Sequence, residues 1–240
     1  MSLDSEILAD APLVFWKMQE TSGTSATDSS AGGTNTGTYT SCTLNQTGPN
    51  NLKSVSFNGS TSNLQRAASV IGNLASGSTI TLEAIVKGTT GAANACILGL
   101  SSNAATAQII ALMLGGTGNA FPVFRMRNDG ASGPDAFVST PSGQSVIDGN
   151  WHHIVGTYDG TNIKTYCDGT LRSTVNNGAL GTCTLNRTTA GALQRTTLSF
   201  PYTGNILYSA VYNTALSQSR ITAHYNAISA SFPWLLLGEG

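Results

Sequence analysis

The sequence predicts an all-β chain folded as an antiparallel two-sheet β-sandwich with one short helix in its C-terminal region, and three observations carry that prediction. Short runs of alternating apolar and polar residues recur along nearly the whole length. Turn dipeptides containing glycine separate them. One stretch alone, Gln218 to Ile228, spaces Ile221, Tyr225 and Ile228 as a helix does. Many strands with regular turns and little helix mean a sandwich or a barrel; a sandwich of this length divides about a dozen strands between two facing sheets.

Taken in order, the first strands are Ser54 to Phe57, closed by Asn58-Gly59, and the long run Thr79 to Val86. A single helical turn is expected near Ser69 to Leu74. The strand Val123 to Arg127 puts Arg125 and Arg127 on one face and Phe124 and Met126 on the other, and Asp129-Gly130 follows it. The clearest hairpin pairs Trp151 to Tyr158 with Asn162 to Cys167 across Asp159-Gly160, and the chain reverses again at Asp168-Gly169 into Thr170 to Val175. Ser217 is the expected N-cap of the helix. With no break in composition, no long linker and no internal repeat, residues 1–240 read as one domain.

Composition excludes several function classes. Charged residues make up 10% of the chain, against about a quarter in an average soluble protein, so neutral Ser, Thr, Asn and Gly must cover most of the surface. The net charge is −1, and the 11 Lys and Arg are scattered, which leaves no electrostatic footprint for a nucleic acid. No apolar run is long enough to span a bilayer, so membrane insertion is not expected. Met1 to Pro12 carries Asp4, Glu6 and Asp10 with no Lys or Arg, unlike the start of a signal peptide. Cys42, Cys96, Cys167 and Cys183 form no CxxC pair, which removes the spacing of a zinc knuckle. Spacing does not establish whether Cys167 and Cys183 pair, and buried free thiols are the expected state.

The chain resembles the laminin G-like, concanavalin A-like jelly rolls over residues 10–228, leaving 229–240 as an apolar tail. The resemblance starts at Ala11-Pro12-Leu13-Val14-Phe15-Trp16 and Thr27-Asp28-Ser29-Ser30, and passes through Phe57-Asn58-Gly59 and Thr81-Leu82-Glu83-Ala84-Ile85-Val86-Lys87. It continues with Trp151-His152-His153-Ile154-Val155-Gly156-Thr157-Tyr158-Asp159-Gly160 and Tyr166-Cys167-Asp168-Gly169. It ends with Gly204-Asn205-Ile206, Val211 to Ser217 and His224-Tyr225. These motifs imply the fold and leave function open, because glycan-binding modules, adhesive domains and phage surface proteins share them. The resemblance also implies an acidic pair after Gly-x-Ile that contributes to a structural calcium site with Asp28. Here that pair is Leu207 and Tyr208. Calcium takes about six to eight oxygens, so no metal and no cofactor is assigned, with Asp28 the acidic ligand retained.

Catalytic constellations are not expected. A retaining glycosidase needs two carboxylates about 5 Å apart, yet the one acidic pair at i, i+2 is Asp4 and Glu6, outside the recognisable strands. Glu83 reads as a solvent-facing or family-structural residue, and Asp159 and Asp168 read as turn residues. His152 and His153 point to opposite faces of a strand and do not share a metal. There is no Gly-x-Ser-x-Gly elbow, and Gly115-Gly116-Thr117-Gly118 lacks the end of a phosphate loop. Arg125 and Arg127 suit an anionic sugar or a solvated face; Tyr39, Phe121, Tyr202 and Trp234 are read as packing residues ahead of sugar platforms. The sequons at Asn45, Asn58 and Asn186 matter only after export. The tail Phe232 to Leu237 is expected to dock as a final strand or to contact a neighbouring subunit.

The expectation is therefore a non-enzymatic virion surface protein, a phage tail or capsid-decorating component, possessing a surface for host glycans. Its expected partners are further copies of itself, other virion proteins and cell-surface glycans. The alternatives are a free carbohydrate-binding module or adhesin domain and, behind it, a glycoside hydrolase.

Overall fold

A computed structural model describes residues 2–89, 94–115, 121–130, 138–139, 145–176 and 178–231. Two antiparallel sheets face each other. The first sheet is ordered β14 (Thr170–Asn176), β13 (Asn162–Cys167), β12 (His152–Tyr158), β7 (Ile80–Gly88), β18 (Thr203–Tyr212), β5 (Lys53–Asn58) and β4 (Thr43–Thr47). The free flank of β18 is shared, because β1 (Val14–Trp16) pairs with its second half where β5 has ended. The second sheet is ordered β11 (Val138–Ser139), β10 (Phe121–Arg127), β9 (Ile109–Gly115), β8 (Cys96–Ser101), β15 (Arg187–Ala190), β6 (Asn63–Arg66), β3 (Gly37–Thr40) and β2 (Ser25–Ala26).

Alternation sorts each strand into a core face and an outer face. Val86, Ala84 and Leu82 of β7 meet Leu98, Leu100, Ile110, Leu112, Phe124 and Met126 of the second sheet in one buried cluster. Gly156 of β12 lies opposite Phe124, and a Cβ there would collide with the ring, so the closest approach of the two sheets depends on that glycine. The predicted meander is present: Ile154 pairs with Cys167 and Tyr158 with Ile163 across the Asp159-Gly160 turn, and β14 follows after Asp168-Gly169. All four cysteines are free, with Cys167 and Cys183 buried.

The two outer faces are covered differently. Against the first sheet lie α1 (Leu3–Ala9) and α2 (Gln218–Ser231). Ser217 caps α2 by accepting the Arg220 N–H at 3.3 Å. A register shift in β18 between Ile206 and Tyr208 turns Leu207 and Tyr208 toward the same outer face, where they join Ile7, Phe15, Ile85, Tyr212, Ile221 and Ile228. Over the second sheet lies a ribbon of β16 (Leu193–Gln194) and β17 (Leu198–Ser199), whose Leu193, with Phe200, covers Cys96, Ile109, Ala111 and Met113.

Two expectations are corrected. The described residues hold two α-helices where the sequence predicts one, because α1, capped by Ser2, adds to α2. Ser69 to Leu74 makes no helical turn; it runs through bends with Gly72 at positive φ, and Leu74 exchanges both backbone hydrogen bonds with Cys183. Trp234, the tail 232–240 and Gly116 to Gly118 lie outside the described residues.

Candidate functional site

The acidic residues show first what the chain does with its few charges. Glu83 points outward from β7, as alternation requires, yet it is fully buried because the helices lie over it: of its two expected readings the solvent-facing one is corrected and the structural one stands. Its carboxylate accepts from His153 Nε2 at 2.7 Å, Tyr208 Oη at 2.8 Å, Tyr212 Oη at 2.6 Å and His224 Nδ1 at 3.0 Å. His224 Nε2 faces Asp10 Oδ2 at 2.9 Å and the Glu6 carbonyl at 3.1 Å. Acceptors on both sides of the ring require a proton on each nitrogen. Burial works against that charge, but Glu83 and then Asp10 outweigh it and raise the His224 pKa. Burial likewise pushes Glu83 up, and the His224 charge, followed by the His153 hydrogen bond, brings it well below its ordinary value. Arg220 adds bonds to Glu6 and Asp10, each at 2.9 Å. The network is a structural anchor holding both helices to the sheet.

Asp28 is also structural. Its Oδ1 accepts the Phe15 and Ser30 N–H groups at 3.0 and 2.9 Å, and Oδ2 accepts that of Asn35 at 2.9 Å. Both oxygens face backbone donors, and Leu207 and Tyr208 are buried under α1 and α2. This donor arrangement does not fit calcium.

Between α1, the turn at Pro49–Asn51, β1 and β18 lies a cavity of about 290 Å³ lined by Leu3, Asp4, Phe15, Lys17, Gln19, Asn50 and Tyr208. Phe15 and Tyr208 meet edge to face, with centroids 5.7 Å apart, and are 1% and 2% exposed, so neither offers an open ring to a sugar. Lys17 and Asp4, both in its lining, pair with each other.

The outer face of the second sheet differs. Its register sets Arg125, Ala111, Gly99, Thr189 and Gln65 in one row and Arg127, Ile109, Ser101 and Arg187 in the next. The ribbon brings Arg195 onto the same face, over the Phe200 ring at 5.5 Å from its centroid. Arg127 donates to the Ala107 carbonyl and, at 2.6 Å, to that of Thr106; Arg195 donates to the same Thr106 oxygen. Among the described residues no carboxylate lies within ion-pair distance of Arg127 or Arg195. Burial, then the charges of Arg127 and Arg125, lower the Arg195 pKa. The fold thus gathers the pair read in the sequence with a third arginine that no local signal marked, because Arg195 reaches this face only when the ribbon folds over. The remaining aromatics are packing groups where described: Tyr39 and Tyr202 are buried, and Phe121 is half-buried.

Sequence and structure comparisons agree on the architecture. No curated protein matches the sequence. Among solved structures, the fourth domain of an extracellular GH43 arabinanase from Geobacillus stearothermophilus, in complex with arabinotriose, is 17% identical with a TM-score of 0.54, covering 88% of this chain and 86% of that one. The binding domain of Paraclostridial Mosquitocidal Protein 1 is 17% identical with a TM-score of 0.65 over 92% of this chain and 53% of that one. The CBM40 domain of the Ruminococcus gnavus IT-sialidase, bound to α2,3 sialyllactose, is 16% identical with a TM-score of 0.52 over 67% and 97%. At these identities the likeness is one of fold. The laminin G-type family profile described as Concanavalin A-like lectin/glucanases superfamily matches residues 58–222, more than half of the sequence, and the chain belongs to that superfamily.

Proposed function

We propose that this chain is a non-catalytic recognition module that binds acidic glycans through the arginine face of its second sheet, and that it is carried on a virion surface as a tail or capsid-decorating component. The carrying observation is the convergence of Arg127 and Arg195 on one carbonyl oxygen, with no carboxylate partner among the described residues. Two guanidinium groups drawn together leave positive charge that a carboxylated sugar neutralises through bidentate bonds. Phe200 beside Arg195 supplies apolar surface. The CBM40 domain of similar fold, itself bound to α2,3 sialyllactose, supports this reading.

The carboxylates support a non-catalytic role. Asp4, Glu6 and Asp10 hold cations, Asp28 caps backbone amides, Glu83 anchors the helices, and Asp148 and Asp168 flank His152. Glu20 bonds Tyr39, Asp129 bonds Thr184 and Asp159 bonds Asn162. Each described carboxylate has a hydrogen-bond or ion-pair partner within the chain.

The test is calorimetric binding of sialyllactose and lactose, with product analysis for released sugar. Sialyllactose is expected to bind and remain intact. Arg127→Gln and Arg195→Gln are each expected to weaken binding about 10- to 150-fold, the equivalent of a charge-assisted contact worth about 1.5–3 kcal/mol. Equal affinity for lactose, or full affinity in the double variant, refutes the site. Absence of the chain from purified particles probed with an antibody refutes virion carriage.

A further inference from the structure

In the first sheet, the hairpin β12–β13 brings together a donor set that the glycan reading does not use. We infer that His152, Cys167 and Asp168 form a binding site for a thiophilic divalent cation of the zinc class, with Asp148 orienting the imidazole from behind. The register carries the argument: Ile154 pairs with Cys167, so Asp168 falls opposite His153, and its side chain turns back to His152. His152 Nδ1 lies 2.8 Å from Asp168 Oδ2, Cys167 Sγ lies 3.6 Å from the same oxygen, and all three ligand atoms fall within 4.8 Å of one another. Around a tetrahedral zinc, with bonds of about 2.0–2.1 Å to N or O and 2.3 Å to S, donors stand roughly 3.3–3.6 Å apart. The observed spacings bracket that range, so closure on an ion needs side-chain adjustment without moving a strand.

The second observation lies on the far side of the ring. His152 Nε2 sits 3.0 Å from Asp148 Oδ1. A metal-binding histidine ordinarily passes its other N–H to a carboxylate, which fixes the tautomer and the ring plane; without an ion both ring nitrogens of His152 face carboxylates, so an entering cation displaces the Nδ1 proton, and the Cys167 thiol proton with it, to solvent. Asp148 is itself held by the turn, accepting the Asn150 N–H at 2.8 Å. One nitrogen, one sulfur and one oxygen form a borderline-soft set suited to zinc and poor for calcium or magnesium. The His152 and Asp168 side chains are 14% and 24% exposed, which gives an ion a route from solvent. The bound ion would staple the loop at Asp148, the start of β12 and the turn after β13.

The test uses the full chain stripped with chelator and titrated with Co²⁺. One equivalent is expected to produce a thiolate-to-cobalt charge-transfer band that Zn²⁺ abolishes. Cys167→Ser is expected to lose the band and Cys42→Ser to keep it. Asp148→Asn is expected to keep the band while weakening affinity about 10- to 100-fold. X-ray absorption of the zinc-loaded wild-type chain, which depends on no variant folding, is expected to show one sulfur at about 2.3 Å with nitrogen or oxygen at about 2.0–2.1 Å. A zinc shell without sulfur, no charge-transfer band, or a band that survives Cys167→Ser overturns the site and leaves His152 as a clasp between two carboxylates.

Discussion

Replacing Glu83 tests the claim that a buried anion fastens both helices to the first sheet. Its carboxylate takes hydrogen bonds from two tyrosyl hydroxyls and two imidazoles, all between 2.6 and 3.0 Å. Glu83→Ala leaves those donors in a site fully shielded from water and takes from His224 the anion that does most to hold its charge, with Asp10 the carboxylate left beside it. Removing one member of a buried charge pair costs about 3–5 kcal/mol. For a domain of this size each kcal/mol moves the midpoint by about 2–4 °C, so a fall of about 6–20 °C is expected. Tyr212→Phe removes one bond to a charged acceptor and is expected to cost about 1.5–3 kcal/mol. Urea unfolding followed by tryptophan fluorescence measures both, and hydrogen exchange over Leu3–Ala9 and Gln218–Ser231 reports whether the helices loosen first. A Glu83→Ala chain within about 1 kcal/mol of the wild type, the range of an ordinary substitution, refutes the anchoring role.

Two further outcomes follow from the same charges. His224 has a folded pKa raised above 6.5, so its stabilisation is complete below 6.5 and is lost as pH rises through the folded value. Glu83 is lowered below 4.5, so its stabilisation is complete above 4.5 and is lost as pH falls through its folded value. Stability is therefore expected to be highest between about pH 4.5 and 6.5; denaturation midpoints measured across pH check this, and a flat profile in which His224→Gln changes nothing contradicts it. Asp28→Ala orphans three backbone N–H groups and is expected to destabilise by about 2–4 kcal/mol, while calcium added to the wild type leaves the melting temperature unchanged; a calcium-dependent rise shows that the carboxylate has a second use.

What the sequence revealed follows the range over which its signals act. The Asp159-Gly160 and Asp168-Gly169 turns specify hairpins locally, so β12, β13 and β14 were legible residue by residue. Alternation told which way Glu83 points but not what covers it, because that depends on α1 and α2 folding back from the two ends of the chain. The seven residues of α1 are too few to show a helical period. Arg195 joins Arg127 only through the ribbon, a tertiary event with no local pattern. The approach of Asp168 to His152 was within reach of the sequence, since pairing Ile154 with Cys167 places Asp168 one step further along.

The unequal covering of the two sheets connects fold to function. Helices cover the outer face of the first sheet, where Glu83 and His224 are satisfied internally, and Lys17 and Asp4 beside the cavity at α1 pair with each other. Charge on that side is consumed by the fold. Among the described residues the second sheet is covered by a ribbon of two short strands, and beside it Arg127 and Arg195 donate to backbone carbonyls, with Arg195 over the Phe200 ring and no carboxylate partner for either. In a chain with 10% charged residues, cations held near one another against their repulsion lower stability unless an external anion repays the arrangement. That asymmetry is why recognition is assigned to the second sheet, and it yields a measurable sign: an acidic glycan should raise the melting temperature of the wild type and leave that of the Arg127→Gln, Arg195→Gln double variant unmoved.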